Sequence, residues 1–101
     1  MHILSWGRIR DFIALHPESH GPMRAWFDCL QARRYKDFTD LRTVFPSVDR
    51  VHLMSGHERY VFNVAGNKYR VICSIHFNRA KVYVRFVLTH AAYAREAWKN
   101  E

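Results

Sequence analysis

Cysteine is scarce: only Cys29 and Cys73 occur, far apart and each within a stretch of regular periodicity. That excludes a disulfide framework and a cysteine zinc clamp, and it suits a reducing compartment. Long apolar runs are missing too. Nothing approaches the roughly 18 residues needed to cross a bilayer, and the opening Met1-His-Ile-Leu-Ser-Trp-Gly-Arg8 lacks the apolar centre of a secretory leader. A cytoplasmic protein without membrane association is the expectation. The chain carries no Gly-rich phosphate loop, no Gly-x-Ser-x-Gly elbow, no repeat and no low-complexity linker. Its histidines lack metal-ligand spacing, since Pro17 interrupts the helix that would align His16 with His20, while His52, His57 and His76 fall on separate elements. No metal or other cofactor is expected.

Acidic residues thin out along the chain. Residues 1–50 hold eight basic and six acidic side chains, whereas residues 51–101 hold eight basic and three acidic, for a net charge of +7 overall. A polyanionic partner fits that imbalance, and so does a basic protein kept soluble by its charge. With 101 residues and a hydrophobic fraction of 49%, the chain makes one domain, 1–101, with apolar area enough for a packed core.

His2–Ser5 reads as a short strand. Ser5 is placed to cap a helix over Trp6–His16, where Ile9, Phe12, Ile13 and His16 recur at helical spacing before Pro17 ends it. Pro22 opens a second helix to about Arg34, marked by Met23, Trp26, Phe27 and Leu30. The two form a helix hairpin for one face of a sheet. Thr39–Phe45 suggests a capped helical turn stopped by Pro46, with Leu41, Val44 and Phe45 plugging one end of the core, and Ser47–Asp49 reads as a turn.

From Val51 the period changes to two. Strands are predicted near Val51–Met54, Arg59–Val64, Tyr69–Phe77 and Lys81–Leu88, joined by short Gly- or Asn-containing turns, so they form an antiparallel meander. His90–Asn100 reads as a terminal helix. The predicted class is α+β: a small antiparallel sheet, an N-terminal helix hairpin on one face and a short C-terminal helix.

Alternation sends Tyr69, Val71, Cys73, Ile75 and Phe77 to the helix side, and Arg70, Ile72, Ser74 and His76 away from it. On the next strand it sends Val82, Val84, Phe86 and Leu88 inward, and Lys81, Tyr83, Arg85 and Val87 outward. Asn63, Arg70, Tyr83 and Arg85 are then expected to share one concave face. Guanidinium groups beside aromatic rings suit single-stranded nucleic acid, and they equally suit a solvated face whose arginines lie over apolar neighbours. His90 opens the terminal helix, where an imidazole either exchanges protons or simply packs at the helix start. Tyr93 is one turn further on.

The segments Tyr60-Val-Phe-Asn-Val-Ala-Gly-Asn-Lys-Tyr-Arg70, Tyr83-Val-Arg85-Phe-Val and Thr89-His90-x-x-Tyr93 resemble the HigB family of type II toxin–antitoxin toxins, within the RelE-like group. Phe45-Pro-Ser and the paired N-terminal helices extend the likeness over nearly the whole chain. The resemblance implies a RelE-like fold and a metal-independent mRNA interferase. It also implies mRNA as substrate, the translating ribosome as the place of cleavage, and silencing by a HigA-like helix-turn-helix antitoxin. Carried over residue by residue, Arg70 matches the arginine that holds the scissile phosphate, and His90 a terminal acid–base or phosphate-binding residue. Tyr93 matches the tyrosine beyond it, and Asn63, Asn67 and Lys68 the polar hairpin beside the site.

The match has a gap. Relatives often read Gly-Thr-His-x-Glu-Tyr-Asp, whereas Leu88-Thr-His-Ala-Ala92-Tyr-Ala94 lacks both carboxylates.

The expected chemistry is attack of a 2′-OH on the adjacent phosphorus. Arg70 stabilises the phosphorane with help from Lys68 and Arg85, His90 transfers protons, and Tyr93 stacks a base or orients the ribose. The alternative is a non-catalytic module that binds RNA or a partner through the same face.

Overall fold

The computed structural model describes residues 1–100. Its elements are β1 (His2–Leu4), α1 (Trp6–Leu15), α2 (His20–Gln31), α3 (Phe38–Val44), β2 (Asp49–His52), β3 (Glu58–Val64), β4 (Tyr69–His76), β5 (Lys81–Thr89) and α4 (His90–Ala94). Short 3-10 turns occupy Pro17–Ser19, Phe77–Arg79 and Ala97–Asn100. The five strands form one sheet in the order β1-β5-β4-β3-β2. The α+β class and the β2-to-β5 meander agree with expectation, but β1 adds a parallel pairing, Ile3 opposite Val82. Nothing local in His2–Leu4 specifies that partner, because a three-residue strand takes its pairing from the rest of the fold.

The helices form for the reasons their spacing gives. Ile9 and Phe12 on α1, and Met23, Trp26 and Leu30 on α2, are buried against the sheet. Ile9, Met23, Leu30 and Leu41 each have 0% exposure; cutting such a side chain back to alanine costs about 2–5 kcal/mol. Ser5 does not cap α1 as expected. It sits at φ 70 with no side-chain bond to the helix, turning the chain sharply out of β1. Pro22 falls within the first turn of α2 rather than at its start, again where a missing N–H costs nothing. For α3 the cap is the Asp37 carboxylate, which accepts from the Asp40 amide at 2.8 Å.

The hairpin turns carry the strain that short loops require. Ala65 and Gly66 lie at φ 56 and 66 between β3 and β4. Between β2 and β3, Gly56 lies at φ 92 and the Leu53 amide donates to the His57 carbonyl at 2.8 Å. β2 starts at Asp49, two residues before the expected Val51, where Asp49 pairs with Val61 of β3.

Two corrections matter for function. First, pairing between β4 and β5 shifts at Ile72/Cys73: Ile72 faces Phe86 while Cys73 faces Val84, so Arg85 is an extra residue. An inserted residue reverses the parity of everything after it. Phe86 and Leu88 therefore turn to the face away from α1 and α2, and Val87 packs into the helix-side core. Second, the predicted helix His90–Asn100 breaks after Ala94, with Glu96 at φ 61. The break folds Trp98 back onto the sheet, where it packs with Leu53, Val61 and Ile72 as a second apolar cluster. At 3% exposure Trp98 covers the middle of a face expected to be open.

Candidate active site

Arg70 is the second residue of β4 and points to the face opposite the helices, at only 7% exposure. A buried guanidinium must be surrounded by acceptors or aromatic faces. Its Nη1 donates to the carbonyls of Asn67 (3.0 Å) and Tyr69 (3.2 Å), and its Nη2 lies 3.3 Å from Nδ1 of His90. The Tyr93 ring lies against it, with the guanidinium carbon 5.1 Å from the ring centroid. Three expected site residues thus meet at one place.

The backbone holds them there. The Thr89 hydroxyl caps α4 by accepting from the Ala92 amide at 3.2 Å, which puts His90 at the first helical position. The His90 amide donates to the Lys68 carbonyl at 2.9 Å, tying α4 to the β3–β4 turn. Tyr93 follows one turn on, and its ring stacks on Trp98 at 5.3 Å with 13° between planes. The Trp98 indole donates to the Tyr93 carbonyl at 3.1 Å. His90 itself is exposed.

The remaining candidates divide. Asn63 stands directly opposite Arg70 in register and is half-buried beside it. Asn67 and Lys68 are exposed in the turn, and the bonds that bind them to the site run through their carbonyls rather than their side chains. Tyr83 and Arg85 share the face but not the place. Tyr83 pairs with Ser74 and meets His76 edge-on at 5.4 Å, and Arg85 Nε donates to Ser74 Oγ at 3.0 Å. Ser74 is four residues, or ~13 Å, along β4 from Arg70, and the Trp98 cluster rises between.

Trp98 is the residue that periodicity misplaced: read as part of a continuous helix, it gave no sign of returning to the sheet. Cys73 is no nucleophile, because full burial in the core pushes its thiol pKa up and keeps it protonated. Among the described residues, no group of three or more His, Cys, Asp or Glu side chains is placed to hold a metal ion, and no helix is long and apolar enough to cross a membrane.

What the geometry offers is one fixed cation, one exposed imidazole and one aromatic ring around a polar hairpin. Arginine has no acceptor, so in the Arg70–His90 contact the imidazole Nδ1 must accept and the remaining proton sits on Nε2.

Comparison with known proteins places the chain. A family profile described as HigB toxin, the RelE-like toxic component of a toxin–antitoxin system, matches residues 19–96, a span that includes Arg70, His90 and Tyr93. The protein is 32% identical over 93 residues to the mRNA interferase toxin HigB of Escherichia coli K12, covering 92% of this chain and 88% of the relative. The mRNA interferase HigB of Shigella flexneri matches at the same 32% over the same shares of both chains. One from E. coli O6:H1 is 26% identical, again over 92% and 88%. The chain therefore belongs to the HigB toxin family of RelE-like toxin–antitoxin components.

Proposed function

We propose that the protein is an mRNA interferase, an endoribonuclease toxin that acts as one domain over residues 1–101 and stops translation by cutting messenger RNA. The observation that carries this reading is the convergence of Arg70, His90 and Tyr93, in a chain whose relatives bear that name. The reaction needs a cation at the phosphate, a group that moves protons, and a surface that orients the ribose.

In the resting state Arg70 and His90 occupy each other. When an RNA phosphate enters, it is the stronger acceptor for a guanidinium and draws Nη2 from the imidazole. His90 Nδ1 then has a free lone pair to take the proton of the 2′-OH. The 2′-oxygen attacks the adjacent phosphorus, forming the 2′,3′-cyclic phosphate as the bond to the 5′-oxygen breaks. The imidazolium returns a proton to that oxygen, leaving a free 5′-OH. Arg70 carries the charge gathered on the phosphorane, with Lys68 at the exposed turn adding a mobile cation. Tyr93 keeps the guanidinium in place and offers its ring to a base or ribose. Asn63 and Asn67 border the site as polar contacts for the strand. No step requires a metal ion.

The reading extends to the setting: action in the cytoplasm on mRNA held by the translating ribosome, and neutralisation by a HigA-like helix-turn-helix antitoxin that covers the basic face. Incubating purified protein with messenger RNA, free and on ribosomes, tests it. Cleavage at defined positions, lost in Arg70→Ala and His90→Ala, is the expected result. Binding without cleavage would instead make it a non-catalytic module.

A further inference from the structure

One edge of β5 is only partly used. β1 pairs with it over Lys81–Tyr83 and stops, so among the described residues no strand lies beside Val84–Thr89 on the edge away from β4. α1 packs against β5 there instead, its backbone bonded within the helix rather than to the strand. Between the two runs a groove of about 310 Å³. From α1 it takes Arg8, Asp11, Phe12 and Leu15, whose spacing of i, i+3, i+4 and i+7 is a single helix face, and from β5 it takes the run from Arg85 to Leu88. Alternate residues of a strand face opposite sides, so four in a row line one hollow only where it follows the strand's edge.

The walls are mostly apolar. Phe12 is buried, Phe86, Val87 and Leu88 are half-buried, and Leu15 stands 80% exposed at the end of α1. Their charges leave a positive balance. Asp11 lines the groove, but Arg10 lies 3.8 Å from it, and among the described residues no carboxylate pairs with Arg8. That balance does not count Arg85, whose Nε is bound to Ser74 Oγ at 3.0 Å. An unpaired strand edge is a template for another strand, apolar walls favour side chains over phosphates, and the surplus charge favours an acidic occupant. A second copy would bring Arg8 and Arg10 against their equals on a chain of net charge +7.

We propose that the free edge of β5 is a docking site for an extended segment of a partner protein, apolar in its middle and acidic at its ends, which lies in the groove as an added strand. Its backbone pairs with β5 beyond Tyr83, its apolar side chains cover Leu15 and Phe86, and one acidic end meets Arg8. Leu88 stands opposite Arg70 in register and β5 leads directly into His90, so the partner is held against the strand that carries both.

The probe is a capped octapeptide with a central run of valine and threonine and two glutamates at each end. Its Kd is measured for the unmodified protein, Leu15→Gln and Arg8→Gln. Two control peptides go with it, one carrying lysines for the glutamates and one methylated at alternate backbone nitrogens so that it cannot pair with an edge. Saturable binding is expected, roughly tenfold weaker in each variant. It should be weaker for the lysine peptide and absent for the methylated one, and the amides of Val84–Leu88 should gain protection from hydrogen exchange when the glutamate peptide binds. No binding up to about 1 mM, the same Kd in all three proteins, or equal binding of the methylated control overturns the proposal. So does self-association of the protein that Leu15→Gln abolishes, which gives the edge to a second copy, or displacement of the peptide by an oligoribonucleotide. Should either variant melt well below the parent, the methylated control and the amide protection decide on the unmodified protein alone. RNA cleavage is not read in this test, so this inference and the function proposed above stand or fall separately.

Discussion

Nη2 of Arg70 lies 3.3 Å from Nδ1 of His90, across 20 residues of sequence. Because only the imidazole can accept, the two groups satisfy each other in the structure, and in the proposed mechanism an RNA phosphate separates them. Each is then needed for the other's task. Arg70→Ala and His90→Ala are each expected to lower kcat for RNA cleavage by about 10²–10⁴-fold, and the double variant to lose much less than the product of the two. Single-turnover assays of all four proteins check this, and multiplicative losses would show that the residues act independently.

Tyr93 contacts Arg70 and Trp98 through its ring. Tyr93→Phe keeps both contacts and is expected to melt within about 0.5 kcal/mol of the parent. Tyr93→Ala loses both, at about 1–3 kcal/mol, and frees the guanidinium to move. A larger loss of cleavage in Tyr93→Ala than in Tyr93→Phe checks the ring's part, and equal losses would assign the role to the hydroxyl.

Trp98 ties the chain's last turn to the sheet. Trp98→Ala removes the centre of the second apolar cluster, and a destabilisation of about 3–5 kcal/mol is expected in urea unfolding. Activity should fall with it even where the protein is still folded, since the support beneath Tyr93 goes too.

Asp40 gives a pH dependence with a definite sign. The Lys36 amide (2.9 Å) and then the Arg33 guanidinium (2.7 Å) bond its carboxylate and hold its pKa below the ordinary 3.8. A carboxyl group with a lowered folded-state pKa adds stability that is fully present above its unfolded pKa. That stability is lost as pH falls below 3.8 toward the folded value. Asp40→Asn should therefore lower stability at pH 7 and flatten its decline in acid. Unfolding curves from pH 7 to 2 measure both, and an acid decline as steep as the parent's would rule the contribution out.

Much of this was legible from residue order alone. The meander, the buried stripes of α1 and α2, and the outward direction of Arg70 all follow from periods of two and 3.6. The spacing puts His90 at the start of a helix with Tyr93 one turn on, and it is the resemblance to the HigB family that joins both to Arg70; the Thr89 cap that fixes them emerges only in the structure. What stayed hidden depended on contacts distant in sequence or on single backbone conformations. The inserted Arg85, which reverses Phe86, Val87 and Leu88, has no local signature in a run of alternating apolar residues. The left-handed Ser5 and Glu96 are not glycines, so nothing marked them as turning points. Missing the turn at Glu96 made the face seem open, and it placed Tyr83 and Arg85 with Arg70 when Trp98 stands between them.

The chemistry of the cut ends tests the central claim most directly. Purified protein, with chelator present, is given an RNA oligonucleotide and a copy carrying one 2′-deoxy sugar at the cleaved position, and the products are identified by mass. A 2′,3′-cyclic phosphate and a 5′-OH from the RNA, with the deoxy copy left whole, are the predicted result. Cleavage of the deoxy copy, or products with a 5′-phosphate, would contradict a reaction in which Arg70 holds the phosphate while His90 moves the ribose proton.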